Sequence, residues 1–361
     1  MKIALVCRRY HPEIGGVETH VKEIAERLAK NHEIAIFTLV NDKRLEGKQI
    51  INGICIMRFK SLRLSYAAEF PPSSMLREIE SFGPQIIHSH SIHTTIPYFA
   101  SRVNSNSKFV ITPHYLGSAT STFRGMLFSL YKPFLGSAMS KADRIICTTS
   151  AEKEMTTKTF VLDQTKIQII PNGVGSDLGS IIPRREGLRI LSVARLDLAH
   201  KKTDKLIRAF KILESKIDAK LVLVGDGPDK QEIIKLVKEL GLAEKVEVKS
   251  NLSRDELIQE YSTATIFVTA SEMENFGIAV AEALAARLRV IVPNSTALAM
   301  YVKDGYASGM QAPITPEKIA QSILVSLQES AERSLSYSPY TWDMAANDLE
   351  KLYRELEKEN C

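Results

Sequence analysis

The stretch TIFVTASEMENFGIAVAEALAA, residues 265–286, passes from a short apolar run through a polar turn into a helical pattern. Thr265–Thr269 reads as a buried strand, and a helix opens near Phe276. Glu274 sits in the turn, and Glu282 would follow roughly 12 Å along the axis if that span were wholly helical. Gly277 gives a ligand close access to the backbone, and free N–H groups at a helix start favour an anion. Acidic groups beside an anion-ready helix end suit a nucleoside diphosphate bearing a sugar. An amphipathic helix with two solvated glutamates reads the same way on this stretch alone.

Outward from this stretch the same alternation repeats. In residues 188–292 it gives strand Ile190–Val193, helix Asp204–Lys216, strand Lys220–Val224, helix Asp229–Leu240, strand Val246–Val248, helix Asp255–Ser262 and strand Val290–Val292. Towards the N-terminus lie strands Lys2–Cys7, Glu33–Val40, Ile54–Phe59, Ile86–Ser89, Phe109–Thr112, Arg144–Thr148 and Ile167–Ile170. Helices Val17–Lys30 and Ser73–Ser81 fall among them, the second stopped by Gly83-Pro84. Such alternation predicts parallel sheets covered by helices on both faces. A polar, proline-bearing break, SIIPRREG, separates the two sets, and a long helix, Met344–Glu359, ends the chain.

A chain of 361 residues with 44% hydrophobic and 25% charged residues has the makings of two globular cores. No apolar run approaches the roughly 18 residues of a membrane span, and MKIALVCRRYHP reads as a first strand rather than a signal peptide. Cys7, Cys55, Cys147 and Cys361 form no CxxC pair, which predicts a reduced, cytoplasmic setting without a metal knuckle. Residues 1–180 hold 22 Lys and Arg against 15 Asp and Glu, and seven of the eight histidines. That basic half fits an anionic partner such as phosphate or an acidic membrane face, and equally an uneven surface charge.

In open α/β sheets ligands gather beyond the carboxyl ends of the strands, so post-strand loops are where chemistry is expected. Gly15-Gly16 follows the first strand, and paired glycines let successive N–H groups face a phosphate; a plain turn is the other reading. No G-x-G-x-x-G occurs, which counts against a dinucleotide site. His88-Ser89-His90, with His93, ends a strand, but no further set of metal ligands is evident, and no metal is expected there. His114, in TPHY, follows another strand. No Asp-x-Asp occurs, which disfavours a diphosphate held through a divalent metal.

Several motifs then fall in one order: GG-x-E at Gly15–Glu18, PNG at Pro171–Gly173, Arg195 with Lys201, LVLVGDGP at Leu221–Pro228, and Glu-x7-Glu with FG after Glu274. Over nearly its whole length the chain resembles the retaining GT-B glycosyltransferases of glycosyltransferase family 4. It departs from their usual pattern at Arg287 and Arg289, where Gly and Pro are common, at Met300, where Glu is common, and at Lys202, where Gly is common.

The resemblance implies an α/β fold of two Rossmann-like, doubly wound parallel-sheet domains facing across a cleft. It implies an acceptor domain at 1–180, a linker at 181–187, a donor domain at 188–335 and, at 336–361, a helix crossing back to the first domain, anchored by Trp342 and Tyr353. It implies transfer of a hexosyl unit from a nucleotide sugar to a glycan or lipid-linked acceptor, with no metal and no cofactor. By the same resemblance Arg195 and Lys201 hold the diphosphate, Glu274 the sugar hydroxyls and Glu282 the ribose, while His114 contacts the donor sugar. Gly15, Gly16 and Gly277 offer amides, Asn251 and Leu252 meet the base, and Asn275 and Phe276 complete the donor site. Ser121–Met139, with Arg124 and Lys132 among aromatics, reads either as a peripheral contact with the cytoplasmic membrane face or as a core helix. No nucleic acid is expected. The alternatives are a non-catalytic GT-B subunit that binds nucleotide sugar or glycan, and a nucleotide-sugar epimerase.

Overall fold

A computed structural model describes residues 1–361 except 14, 64–68, 116, 118–121, 186, 330–335 and 360–361, and the side chains at 63, 122–127 and 296. The chain forms two compact units: Met1–Asn172 with Trp342–Cys361, and Gly173–Thr341. The two crossings run side by side, because Val174 bridges Thr341 and its N–H donates to Tyr340 O at 2.9 Å.

The first unit begins with β1 (Lys2–Cys7), α1 (Gly16–Leu28), β2 (Glu33–Val40), β3 (Gly47–Ile51), β4 (Ile54–Lys60), β5 (Leu62–Arg63) and β6 (Glu69–Phe70). It continues with α2 (Ser73–Phe82), β7 (Ile86–His90), α3 (Ile96–Ala100), β8 (Lys108–Thr112), α4 (Thr122–Lys141), β9 (Arg144–Cys147), α5 (Ser150–Thr159) and β10 (Ile167–Ile169). Its main sheet has the order β10-β9-β8-β7-β1-β2-β4-β3. β1 is apolar throughout and buried from Ile3 to Cys7, as a central parallel strand with helices on both faces must be. The chain runs from β1 outward to β2 and later returns to β7 on the other side. The switch in winding direction therefore lies between β1 and β7, where a ligand crevice is expected.

Two pairings depart from the parallel expectation: β5 with β6 in a small separate sheet, and β3 at the edge of the main one. β3 pairs antiparallel with β4 through a turn at Asn52-Gly53, both with positive φ (51° and 79°). An Asn-Gly pair between two short runs is a strong hairpin signal. β3 lies at the sheet edge with every residue exposed, so burial patterning gave no sign of it.

The second unit comprises β11 (Leu188–Val193), α6 (Leu198–Lys201), α7 (Thr203–Leu213), β12 (Ala219–Val224), α8 (Lys230–Glu239), β13 (Val246–Lys249), α9 (Arg254–Thr263) and β14 (Ile266–Val268). It ends with α10 (Ile278–Ala285), β15 (Arg289–Pro293), α11 (Ala299–Lys303), β16 (Ser308–Met310) and α12 (Pro316–Gln328). Its six strands run β13-β12-β11-β14-β15-β16, all parallel, and the switch point lies between β11 and β14. The last helix, α13 (Trp342–Lys358), packs on α1 in the first unit with Trp342 and Tyr353 buried.

Among the described residues no helix is long and apolar enough to cross a membrane. The surface stretch from Ser121 lies partly outside the described residues, Ser121 itself and the Arg124 side chain included. Within α4, Leu130 and Phe134 are exposed large apolar side chains, and Lys132 Nζ lies 5.9 Å from the centre of the Phe160 ring.

Candidate active site

In the second unit the loop after β11 is laid on the loop after β12. Ala194 and Leu196 donate to Val224 O and Asp226 O at 3.0 and 2.9 Å, and Asp229 donates back to Leu196 O at 3.1 Å. A side chain at Gly225 or Gly227 would run into the carbonyl oxygens of Ala194 and Leu196. The glycines of LVLVGDGP therefore permit a backbone-on-backbone contact whose result is a fixed perch for Arg195. Arg195 is exposed, and among the described residues its guanidinium makes no ion pair.

From there the chain enters α6, capped by Asp197, whose carboxylate accepts the His200 N–H at 3.3 Å. Lys202 ends α6 at φ +53°, in the left-handed conformation for which Gly is the cheaper residue. Lys201 is thereby aimed at Glu274, with Nζ 2.5 Å from Oε1 and both side chains about one-fifth exposed (22% and 20%). Ser271, fully buried, fastens the turn after β14 to α6 by donating to His200 O at 3.3 Å. Arg195 thus stands on the loop after β11, Lys201 at the end of α6 that follows it, and Glu274 on the turn after β14; β11 and β14 flank the switch point.

Glu274 and Glu282 do not share a helix. α10 starts at Ile278 after Gly277 at φ +79°, so the 12 Å helical estimate does not apply. Gly277 is also required by packing, since a side chain there would meet Leu298 and Val280. α10 opens with no side-chain cap. Phe276 is buried against Tyr301, ring centres 6.2 Å apart, so its side chain serves the core, and Asn275 precedes it in the turn. Asn251 has φ +56° in the loop after β13, next to Ser250, whose hydroxyl donates to Gly225 O at 2.5 Å, and Leu252 is half-buried.

Glu282 is buried and already engaged. Arg254 Nη1 donates to Oε1 at 2.7 Å and the Tyr261 hydroxyl to Oε2 at 2.9 Å. Arg254 also grips Asp177, Nε to Oδ2 at 2.9 Å and Nη2 to Oδ1 at 2.8 Å. Burial pushes the Glu282 carboxyl up, against the pull of Arg254 and Tyr261, and despite its own burial Arg254 is raised by the two carboxylates. Arg254, Tyr261 and Asp177 escaped the sequence reading, because nothing local in α9 announces a partner on α10 or after Gly175.

The departures at the end of α10 leave its geometry intact. Arg287 holds φ +60°, with Arg287 N–H to Leu284 O at 2.9 Å and Leu288 N–H to Ala283 O at 3.0 Å, the paired bonds of a Schellman cap. Arg289 Nη1 donates to Ser326 O. Met300 packs on the core of this unit.

In the first unit Gly15 precedes α1 with extended backbone, and a side chain there would crowd the Glu18 carboxylate, whereas Gly16 has open space. The carboxyl ends of β7 and β8 carry histidines. His88 is held by Tyr353 (Nδ1 to hydroxyl, 2.6 Å) and Thr112 (Nε2 to Oγ1, 2.8 Å). His114, at φ +48°, places Nε2 3.5 Å from His90 Nδ1. His20 on α1 completes a trio with them, its Nδ1 2.7 Å from Asn172 Oδ1. Burial holds His88, His90 and His114 well towards the neutral form, shifts His93 the same way and lowers His20 to about 4. The sequence reading found no metal-ligand set around His88–His93. His20, not singled out from the sequence, lies on the buried face of α1 with Val21 and Ile24 and so has a helical-period signal.

Comparison with known proteins agrees along the chain. The family model Glycosyltransferase Family 4 matches residues 14–178, and Glycosyl transferases group 1 matches residues 182–354. An uncharacterized glycosyltransferase of Methanocaldococcus jannaschii is 27% identical, covering 98% of both chains. The GDP-mannose:cellobiosyl-diphosphopolyprenol alpha-mannosyltransferase of Xanthomonas campestris is 25% identical, covering 88% of this chain and 84% of its own. Among solved structures, sucrose-phosphate synthase from Thermosynechococcus elongatus superposes with a TM-score of 0.77 at 20% identity, covering 98% of both chains. With both halves matched in order, and the fold matched over its length, this chain belongs to glycosyltransferase family 4, as a GT-B enzyme that uses a nucleotide sugar.

Proposed function

We propose that the enzyme moves a hexosyl unit, with retention, from a nucleoside diphosphate sugar to a glycan or lipid-linked acceptor, with no metal on the diphosphate. The observation that carries this reading is that the exposed Arg195 and the Lys201–Glu274 pair all follow the two strands that flank the switch point of the second sheet. Breaking the glycosidic bond leaves negative charge on the departing diphosphate. Two fixed cations stabilise that charge as it develops, and cost no reorganisation at that moment. Glu274, held by Lys201, accepts hydrogen bonds from sugar hydroxyls. The amides at Gly277 and the start of α10 face the phosphates. Glu282, oriented by Arg254 and Tyr261, takes the ribose hydroxyls, and the backbone at Asn251 and Leu252 meets the base. Retention follows when the acceptor oxygen attacks on the face the diphosphate leaves, with no enzyme nucleophile.

The Xanthomonas relative acts on a diphosphopolyprenol-linked acceptor, which supports a lipid-linked acceptor here, as do the exposed Leu130 and Phe134 on α4. The three described cysteines are free, in keeping with the cytoplasmic face of a membrane as the setting. The test is thermal melting with UDP, GDP, ADP and CMP, with and without EDTA. A single nucleoside diphosphate should raise the melting temperature by mass action, equally in EDTA, and lose that effect in Glu282→Ala. A shift that requires a divalent cation, or that survives in the variant, overturns the donor-site assignment.

A further inference from the structure

We propose that His20, His90 and His114 form a three-imidazole site for a divalent transition-metal ion of the zinc type, with the fourth position left to water. One donor nitrogen from each ring lies within 4.8 Å of the other two. The ring centres are 5.3 Å (His20–His90), 5.0 Å (His20–His114) and 5.7 Å (His90–His114) apart. Three imidazoles on a tetrahedral ion at about 2.0–2.1 Å bring donor nitrogens to about 3.3 Å and ring centres to about 5 Å. His90 Nδ1 and His114 Nε2, at 3.5 Å, already have that spacing. Small rotations of the rings bring in the third ligand.

The surroundings fit a metal better than they fit a hydrogen-bonded core. His20 is 2% exposed and, among the described residues, its Nε2 has no hydrogen-bond partner. Orphaned imidazole nitrogens inside a protein call for an explanation, and an ion supplies one. Asn172 Oδ1 accepts the proton of His20 Nδ1, which fixes the tautomer whose Nε2 lone pair is free to ligate. A carbonyl oxygen behind a ligating histidine is the usual outer-shell arrangement. The donor set, all imidazole without carboxylate or thiolate, suits zinc, cobalt, nickel or copper and not magnesium or calcium. Burial also keeps the imidazoles unprotonated at neutral pH, the form that binds metal. His114, 6% exposed, is the least buried of the three and marks the way in. The site draws together α1, the end of β7 and the segment after β8.

The experiment uses the full-length, untagged chain stripped with a chelator and titrated with CoCl2 or ZnCl2. One equivalent of Co(II) should bind with the visible absorption of a tetrahedral ion and be displaced by Zn(II). His20→Gln and His90→Gln should each abolish that spectrum, while His93→Gln and His32→Gln retain it, with far-UV circular dichroism reporting the fold of each variant. Asn172→Ala should weaken affinity about 10- to 100-fold without changing the number of ligands. X-ray absorption of the wild-type zinc adduct should count three imidazoles, a measurement that needs no variant to fold. No stoichiometric uptake, a count of one or two imidazoles, or uptake indifferent to His20→Gln and His90→Gln in folded protein overturns the proposal.

Discussion

The carboxyl edge of the first sheet presents buried, uncharged imidazoles, while that of the second presents ions. His20, His88, His90 and His114 are all less than one-tenth exposed, and burial keeps them neutral. Lys201 and Glu274 remain about one-fifth exposed and paired, and Arg195 faces solvent. Both edges sit at a switch point of a doubly wound sheet, so topology does not account for the difference. Solvation does. The second edge keeps its charges because water and opposite charge reach them, and those charges are in place before a diphosphate arrives. The histidines of the first edge are dry, and the fixed charges near them, Arg8 after β1 and Glu69, are buried against each other with Arg8 Nε 2.5 Å from Glu69 Oε2. Perturbing charge at the second edge should therefore cost catalysis first, and protonating the first should cost stability first.

The sharpest way to break this contrast is to remove one charge at the second edge. Lys201→Ala or Glu274→Ala should lower the transfer rate by about a hundredfold or more, the usual scale for losing one preorganised charge-stabilising group, with the melting temperature little changed. Product formation with the donor whose nucleotide stabilises the protein is the measurement. A variant with undiminished transfer removes the pair from the reaction.

Acid should expose the opposite vulnerability in the first unit, in metal-free protein. His20 faces His90, His114, Asn172 and Trp342, none of them anionic, and its folded pKa of about 4 lies below the usual 6.5. Between those values the unfolded chain takes up a proton that the folded chain refuses. Its contribution is therefore present above pH 6.5 and lost as pH falls towards 4, on the order of 3 kcal/mol for this residue alone. The chain has one tryptophan, Trp342, with its ring centre 5.9 Å from that of His20, so its fluorescence reports unfolding at this place. A denaturant midpoint from Trp342 that does not move between pH 7 and pH 5 contradicts the neutral-cluster reading.

What could be read from the sequence follows the same division. The alternation of strand and helix was legible because the central strands are apolar throughout and lie at regular spacing; Glu33–Val40 matches to the residue. The placement of Arg195, Lys201 and Glu274 after strands was legible because each stands in a recognisable motif just beyond an apolar run. The Arg254–Glu282–Asp177 network was not, since its members meet only when α9, α10 and the segment after Gly175 are packed together. β3 was hidden by its exposure, although Asn52-Gly53 marked its hairpin. The histidine trio joins residues separated by two crossovers, and only His20's place on the apolar face of α1 hinted at it.

That network offers a smaller test of how the second unit tolerates charge. Arg254→Ala leaves the Glu282 carboxylate buried with the Tyr261 hydroxyl as its hydrogen-bond donor and releases Asp177 from Arg254. The loss should be about 2 kcal/mol, below the range for a fully buried pair because Arg254 is 38% exposed and screened. The urea midpoint should fall while Trp342 still reports a folded first unit at low denaturant. An unchanged midpoint would mean that Glu282 gives up its proton partner at no cost, and that the two edges differ less than their geometry says.

The smallest effect concerns the two positions where a long side chain occupies a left-handed residue. Lys202 and Arg287 have φ of +53° and +60°, where a Cβ crowds the backbone at a cost of about 1 kcal/mol or somewhat more. Arg287→Gly removes that strain and keeps the cap, because the bonds from Arg287 N–H to Leu284 O and from Arg185 Nη2 to Arg287 O use backbone atoms at position 287. Glycine also widens the unfolded ensemble, which takes back part of the gain. The expected net is a stabilisation of about 0.5 kcal/mol, read as a raised denaturant midpoint with the transfer rate unaltered. Lys202→Gly should stabilise similarly yet loosen the end of α6, and with it the aim of Lys201. It should therefore separate from Arg287→Gly by a lower transfer rate at equal or better stability. If both variants raise the midpoint and neither changes transfer, Lys201 is held by Glu274 and Ser271 rather than by the turn behind it.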